Sequence, residues 1–249
     1  MDLSLIAGLV AAATAAGFVD SIAGGGGLIT VPVLMLAGMT PGQALATNKL
    51  QGSFGAATAA VSYARSGLVD LRRQLPTAAL AFAAGGAGAA LVTALPTEVL
   101  RLALPVVLIG IALFFALKPG LNDLDRAARL SPAIFGLTLV PVIGFYDGLI
   151  GPGAGAFYML GFVMLAGHGV LRATAHTKLL NFSSNLGGLA VFALSGHPVW
   201  LAGLLMGAGQ ILGAALGARL ALRIGARIIK PLLVVTSTAL AARLLWQML

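Results

Sequence analysis

Cysteine is absent from the 249 residues, which excludes a disulfide framework and any thiol-based metal or redox site. Charge is scarce as well. Only 9% of the residues are charged, 7 acidic against 15 basic, where a soluble domain carries about 25%. Short runs of alternating apolar and polar residues are missing, so a membrane barrel is not expected. His168, His176 and His197 stand at no metal-ligand spacing with carboxylates, and no Ser-His-Asp arrangement is suggested. The four glycines at 24–27 follow a helical run instead of a strand and lack the Lys-Ser/Thr of a phosphate loop. Neither an enzyme nor a cofactor or metal site is expected.

What remains is apolar sequence. Hydrophobic residues make up 59% of the chain, and the mean hydropathy is +1.01. Runs long enough to cross a hydrocarbon layer of about 30 Å recur throughout. The chain reads as an all-α polytopic membrane protein, a single transmembrane domain over 1–249. The first run follows Asp2 instead of a basic segment, so it is expected to be an uncleaved helix. The formal net charge of +8 sits in short connections, which points to positive-inside topology and not to nucleic acid.

Apolar runs and breakers give segments near 3–23, 28–38, 42–64, 75–95, 98–117, 132–150, 155–167, 170–195, 199–221 and 228–247. Segments 28–38 and 155–167 are about half a bilayer long and follow glycine-rich breaks, "GGGG" at 24–27 and "GPGAG" at 151–155. They read as broken or re-entrant half-helices.

The chain also repeats itself. "GFVDSIAG" at 17–24 aligns with "GFYDGLIG" at 144–151, "MLAG" at 35–38 with the same letters at 164–167, and "ALATNKL" at 44–50 with "ATAHTKL" at 173–179. The offset is 127 before the break and 129 after it, because the second break holds two extra residues. Two repeats, about 1–120 and 130–249, each of four to five helical segments, account for the whole chain. The connection after the third segment carries Arg65, Arg72 and Arg73, whereas its counterpart at 195–200 has no Lys or Arg. Equivalent loops are therefore expected on opposite sides, an inverted topology. Lys118, Arg126, Arg129, Arg219, Arg223, Arg227 and Lys230 fall on the cytoplasmic side of this scheme, and Arg243 does not.

Inverted repeats with broken helices are a construction plan of secondary transporters, with substrate near the midplane. Asn48, Gln51, Gly55, Thr58 and Ser62 share one helical face, as do Thr174, Thr177, Asn181 and Asn185. Such faces line a bundle interior, either as a path or as a helix–helix seam. Lys49 and Lys178 are repeat-related; they either snorkel to headgroups or flank an anion path, with Asn48, His176 and Thr177 adding donors. The breaks, represented by Gly25, Gly26, Gly153 and Gly155, either present helix N-termini to a small anion or only permit close packing. Asp20 and Asp147, repeat-related and just before each break, either carry protons or cap free N–H groups. The expected substrate contacts are Asn48, Lys49, Gln51, Gly25, Gly26, Gly153, Gly155, His176, Thr177, Lys178 and Asn181. Asp20 and Asp147 are expected to organise the breaks or couple transport.

On these motifs, "GFVDSIAGGGGLITVPVLMLAG" and "ALATNKLQGSFGAATAAVSYARSGLVD" with second copies "GFYDGLIGPGAGAFYMLGFVMLAG" and "AHTKLLNFSSNLGGLAVFALSG", the chain resembles the sulfite exporter TauE/SafE family, also called the toluene-sulfonate uptake permease family. The resemblance spans essentially the whole chain. It implies an inner-membrane, multi-pass carrier of sulfite, sulfonates or related small anions, whose partners are that substrate and the lipid bilayer. Members usually read Thr-Ser/Asn-Lys in both copies; here Thr47-Asn48-Lys49 keeps the pattern and His176-Thr177-Lys178 departs from it. The alternatives are an anion channel or passive uniporter on the same stripes, and a membrane scaffold without transport.

Overall fold

The computed structural model describes residues 2–100 and 127–225, together with 103, 106, 109, 110, 125, 227, 228, 231 and 232. The predicted segments 98–117 and 228–247 fall largely outside the described residues, as do Arg101, Lys118, Asp123, Arg126, Lys230 and Arg243. Eight helices stand among the described residues: α1 (Leu3–Ala23), α2 (Gly26–Leu36), α3 (Pro41–Arg65), α4 (Leu71–Thr93), α5 (Pro132–Leu149), α6 (Ala154–Met164), α7 (Val170–Leu194) and α8 (Trp200–Ile224). No strand occurs among them. Helices α1, α4, α5 and α8 are long and apolar enough to cross a membrane.

The two half-helices keep their expected length. Helices α2 and α6 have 11 residues each, about 17 Å at 1.5 Å per residue, half of a hydrocarbon core of about 30 Å. The helix starts are written locally. Thr40 and Gln43 form a reciprocal capping box ahead of Pro41. Asp70 accepts from Arg72 N and Arg73 N at the start of α4. Ser131 accepts from Ile134 N at the start of α5, with Pro132 in the first turn. Helix α7 starts at a glycine cap without a side chain of its own. Asp125 of the central connection supplies the acceptor instead, 2.6 Å from Gly169 N, and pairs with Arg172 at 3.3 Å. The Gly169 N–H holds the Asp125 carboxyl below the usual carboxylate range, with Arg172 adding to the effect. Replacing Thr40 by Ala is expected to cost about 1 kcal/mol, read as a lowered Tm of the detergent-solubilised protein; an unchanged Tm would remove the capping box from the account.

Without water to drive helices together, close approach decides which of them pair. Helix α8 carries Gly209, Gly213 and Gly217 in one row, and a Cβ at any of them would meet the backbone of α1. Helix α1 packs on α8 along that row, and α4 packs on α5 and α7. The first helix of each half thus lies against the last described helix of the other: α1 on α8, and α5 on α4. Helices α3 and α7 cross in opposite directions, since Lys49 lies beside Gly188 and Gly52 beside Asn185. This exchange of partners brings the two glycine-rich breaks face to face.

Candidate functional site

The breaks touch. Gly24 sits at φ +80°, where glycine is favoured, and closes α1. Its carbonyl accepts from Ala156 N of the other half at 3.2 Å. Gly155 faces it so closely that a Cβ on Gly155 would meet the Gly24 Cα at 2.9 Å. At this crossing lies a cavity of about 20 Å³, bordered by Asp20, Asp147, glycines of both breaks, and the amides Asn48, Gln51, Asn181, Asn185 and Gln210. That is room for about one water.

Two lysines reach the crossing from opposite halves, and each meets the other half's aspartate. Lys49 of α3 donates to Asp147 of α5, Nζ to Oδ1 2.5 Å, and also to its carbonyl. Lys178 of α7 donates to the carbonyl of Asp20, with Nζ 3.7 Å from Oδ2. Neither lysine snorkels, since both are fully buried. Neither borders the cavity. The repeat-related lysines are bound to repeat-related acids by exchange, so two positive and two negative charges cancel.

The pairs differ in tightness. Both Asp147 oxygens are engaged: Oδ1 by Lys49, Oδ2 by Ser184 Oγ and by Asn185 Nδ2 at 3.3 Å. Asp20 keeps a side chain 17% exposed and bordering the cavity, and its Oδ1 accepts from Gly26 N at 3.0 Å, the first residue of α2. Asp20 therefore caps its break, whereas the Asp147 side chain bonds to Lys49, Ser184 and Asn185.

The amides form a chain on the first half's side. Gln210 Nε2 donates to Gln51 Oε1 at 2.5 Å, Gln51 Nε2 to Asn48 Oδ1 at 2.9 Å, and Thr30 Oγ1 to the same Oδ1 at 2.6 Å. On the other side Asn185 donates to Asn181. Among the described residues, the Nδ2 groups of Asn48 and Asn181 donate to no protein acceptor. Asn48 Nδ2 lies beside Gly27 and Asn181 Nδ2 beside Gly155, at the opening turns of α2 and α6. Two free amide donors and two helix N-termini therefore converge on one small space whose carboxylates already have cationic partners. A negatively charged oxygen suits that space; a second cation does not.

Of the sequence-predicted contacts, Asn48, Gln51, Gly26, Gly153, Gly155 and Asn181 border the cavity together with Asp20 and Asp147. Gly25 is the N-cap of α2 without bordering it. Thr177 Oγ1 donates to Ala173 O of its own helix, as Thr58 and Ser62 do one turn back in α3. The His176 ring lies away from the crossing, stacked on His168 at 4.9 Å. Gln210 escaped the sequence reading, although a lone amide in the apolar run 200–217 is costly unless it has a buried partner.

Comparison with known proteins follows the whole chain. A profile described as sulfite exporter TauE/SafE matches residues 9–244. A probable membrane transporter protein, ORF9, of Sinorhizobium sp is 58% identical over 241 residues, covering 97% of this chain and 92% of its own. The probable membrane transporter protein YfcA of Escherichia coli strain K12 is 47% identical over 231 residues, covering 93% and 86%. A probable membrane transporter protein of Haemophilus influenzae is 40% identical over 246 residues, covering 99% and 96%. No solved structure matches the chain significantly.

Proposed function

The chain belongs to the sulfite exporter TauE/SafE family, and from that premise we propose that it is a secondary carrier of a small anion, sulfite or an organosulfonate, in the cytoplasmic membrane. It is a membrane transporter; the substrate and the site are our reading. The observation that carries it is the convergence of the free Nδ2 donors of Asn48 and Asn181 with the starts of α2 and α6. Backbone N–H groups at a helix start and charge-assisted amide bonds suit a compact oxyanion. Lys49 and Lys178 act at one remove: by neutralising Asp147 and Asp20 they stop the acids from repelling the anion.

The partner exchange between halves and the opposed directions of α3 and α7 support two inverted repeats around this site. A cavity of about 20 Å³ is too small for a tetrahedral or pyramidal oxyanion, so substrate enters only when the halves part. That favours a carrier over a channel, whose path would stay open.

Saturable flux of sulfite, a sulfonate or a short carboxylate into proteoliposomes tests the reading. Asn48→Ala and Asn181→Ala are each expected to weaken binding of the transported anion roughly 10- to 100-fold, the worth of a hydrogen bond to a charged group, with a moderate fall in Tm because Gln51 and Asn185 each lose an acceptor. Unaltered half-saturation in both variants would sink the site assignment, and absence of any saturable anion flux would sink the function.

A further inference from the structure

A second cavity, of about 460 Å³, opens beside Arg73 in the first turn of α4, the connection that carries Arg129, and Arg172 in the first turn of α7. Its walls are apolar, and its polar groups include Gln74 and the stacked pair His168 and His176. Gln74 is 8% exposed; its Nε2 donates to His176 O at 2.7 Å, while its Oε1 has no partner among the described residues. The space itself is large enough to hold several waters beside these polar side chains.

The repeat gives this cavity a counterpart at the other end of the molecule, and there the space is filled. By the offsets of 127 and 129, Val140, Phe162, His168, Arg73 and Thr77 of the cavity correspond to Ala13, Val33, Met39, Ala202 and Met206. Those residues pack with Leu9, Leu34 and Ala44 as one apolar cluster, in which Ala13 and Met206 are fully buried. Thr47, the counterpart of His176, accepts from Val199 N at 3.0 Å and ties the start of α8 to α3. A cavity at that end, by Thr40 and His197, holds about 50 Å³. Equivalent positions of two similar halves thus border an open space at one end and a packed apolar cluster at the other.

We propose that the cavity at Gln74, Thr77 and His168 is the inner mouth of the transport path, that the cluster around Met206 and Ala202 is the closed outer gate, and that the carrier works by exchanging these conformations between its halves. The proposal rests on the transport reading above. Arg73 and Arg172 stand at the inner mouth, each paired at 3.3 Å with an exposed aspartate. In the opposite state the inner walls close as the outer cluster parts.

The absence of cysteine makes the test direct. Thr77→Cys and Met206→Cys, in the detergent-solubilised full chain where both faces are open to solvent, are reacted with a water-soluble maleimide without substrate. The Thr77→Cys thiol is expected to react at least roughly 10-fold faster, the inverse of an outward-open population of about 10% or less. Ala202→Cys replaces Met206→Cys if that variant does not fold. Adding Thr47→Val, which deletes the tie to Val199, is expected to speed labelling at Met206→Cys roughly 2- to 10-fold. Equal rates at the two positions, faster reaction at Met206→Cys, or no response to Thr47→Val would each overturn the proposal. Missing sulfite flux with the labelling pattern intact would count against the substrate and leave the two mouths standing.

Discussion

Lys49→Met is expected to destabilise the protein by about 3–5 kcal/mol, the cost of removing one partner from a buried ion pair, read as a collapse of the yield of monodisperse protein and a large fall in Tm. The cause lies in what stays behind. Asp147 is buried and its Oδ1 faces Lys49, while the adjoining cavity has room for about one water, too little to replace an ammonium. The double variant Lys49→Met with Asp147→Leu removes both charges, so most of the lost stability is expected to return. Transport is not expected to return with it, because Ser184 and Asn185 lose the carboxylate that fixes them beside Asn181. Lys178→Met is expected to be milder: its partner lies 3.7 Å away and retains 17% side-chain exposure. Equal losses for the two lysines, or a double variant no more stable than Lys49→Met, would contradict the exchanged pairs as described.

The second large effect concerns Gly24. Replacing it by Ala is expected to abolish transport and to lower Tm strongly. Two costs combine here. The left-handed backbone at φ +80° costs a non-glycine residue about 1–2 kcal/mol, and overpacking adds about 1–3 kcal/mol, because the new Cβ would meet the backbone of Gly155 and Ala156. Gly38 separates the two. It has φ +88° and open space where a methyl group would stand, so Gly38→Ala is expected to show the first cost alone. Measured by thermal unfolding and by anion flux side by side, similar behaviour of the two variants would mean that the contact between the breaks contributes little.

Much of the fold was legible in the sequence because membrane helices are set by length and hydropathy, both of which are local. Helix α1 keeps the expected bounds, and α2 and α6 are as short as their glycine breaks required. The site was legible in part. Asn48 and Asn181 were visible as polar residues in apolar surroundings, but so were Thr58, Ser62 and Thr177, whose hydroxyls satisfy themselves on a carbonyl of their own helix. A helical stripe cannot separate the two cases, because back-bonding leaves no trace in spacing. The lysine–aspartate exchange was hidden for a different reason. The repeat reveals which positions are equivalent, but the partner across the interface depends on how two halves dock. Gln210 was hidden as a single letter whose partner, Gln51, lies 159 residues away.

The exchanged charge pairs also bear on how the chain is made. Lys49 emerges 98 residues before Asp147, and Asp20 emerges 158 residues before Lys178. At about 5–20 residues per second, the Lys49 ammonium waits roughly 5–20 s and the Asp20 carboxylate roughly 8–32 s without a mate. A lone half carries ions that lipid does not tolerate at depth. The early helices are therefore expected to linger in a hydrated or protein-lined environment until the second half is synthesised, and separately expressed halves to accumulate in the bilayer only when made together.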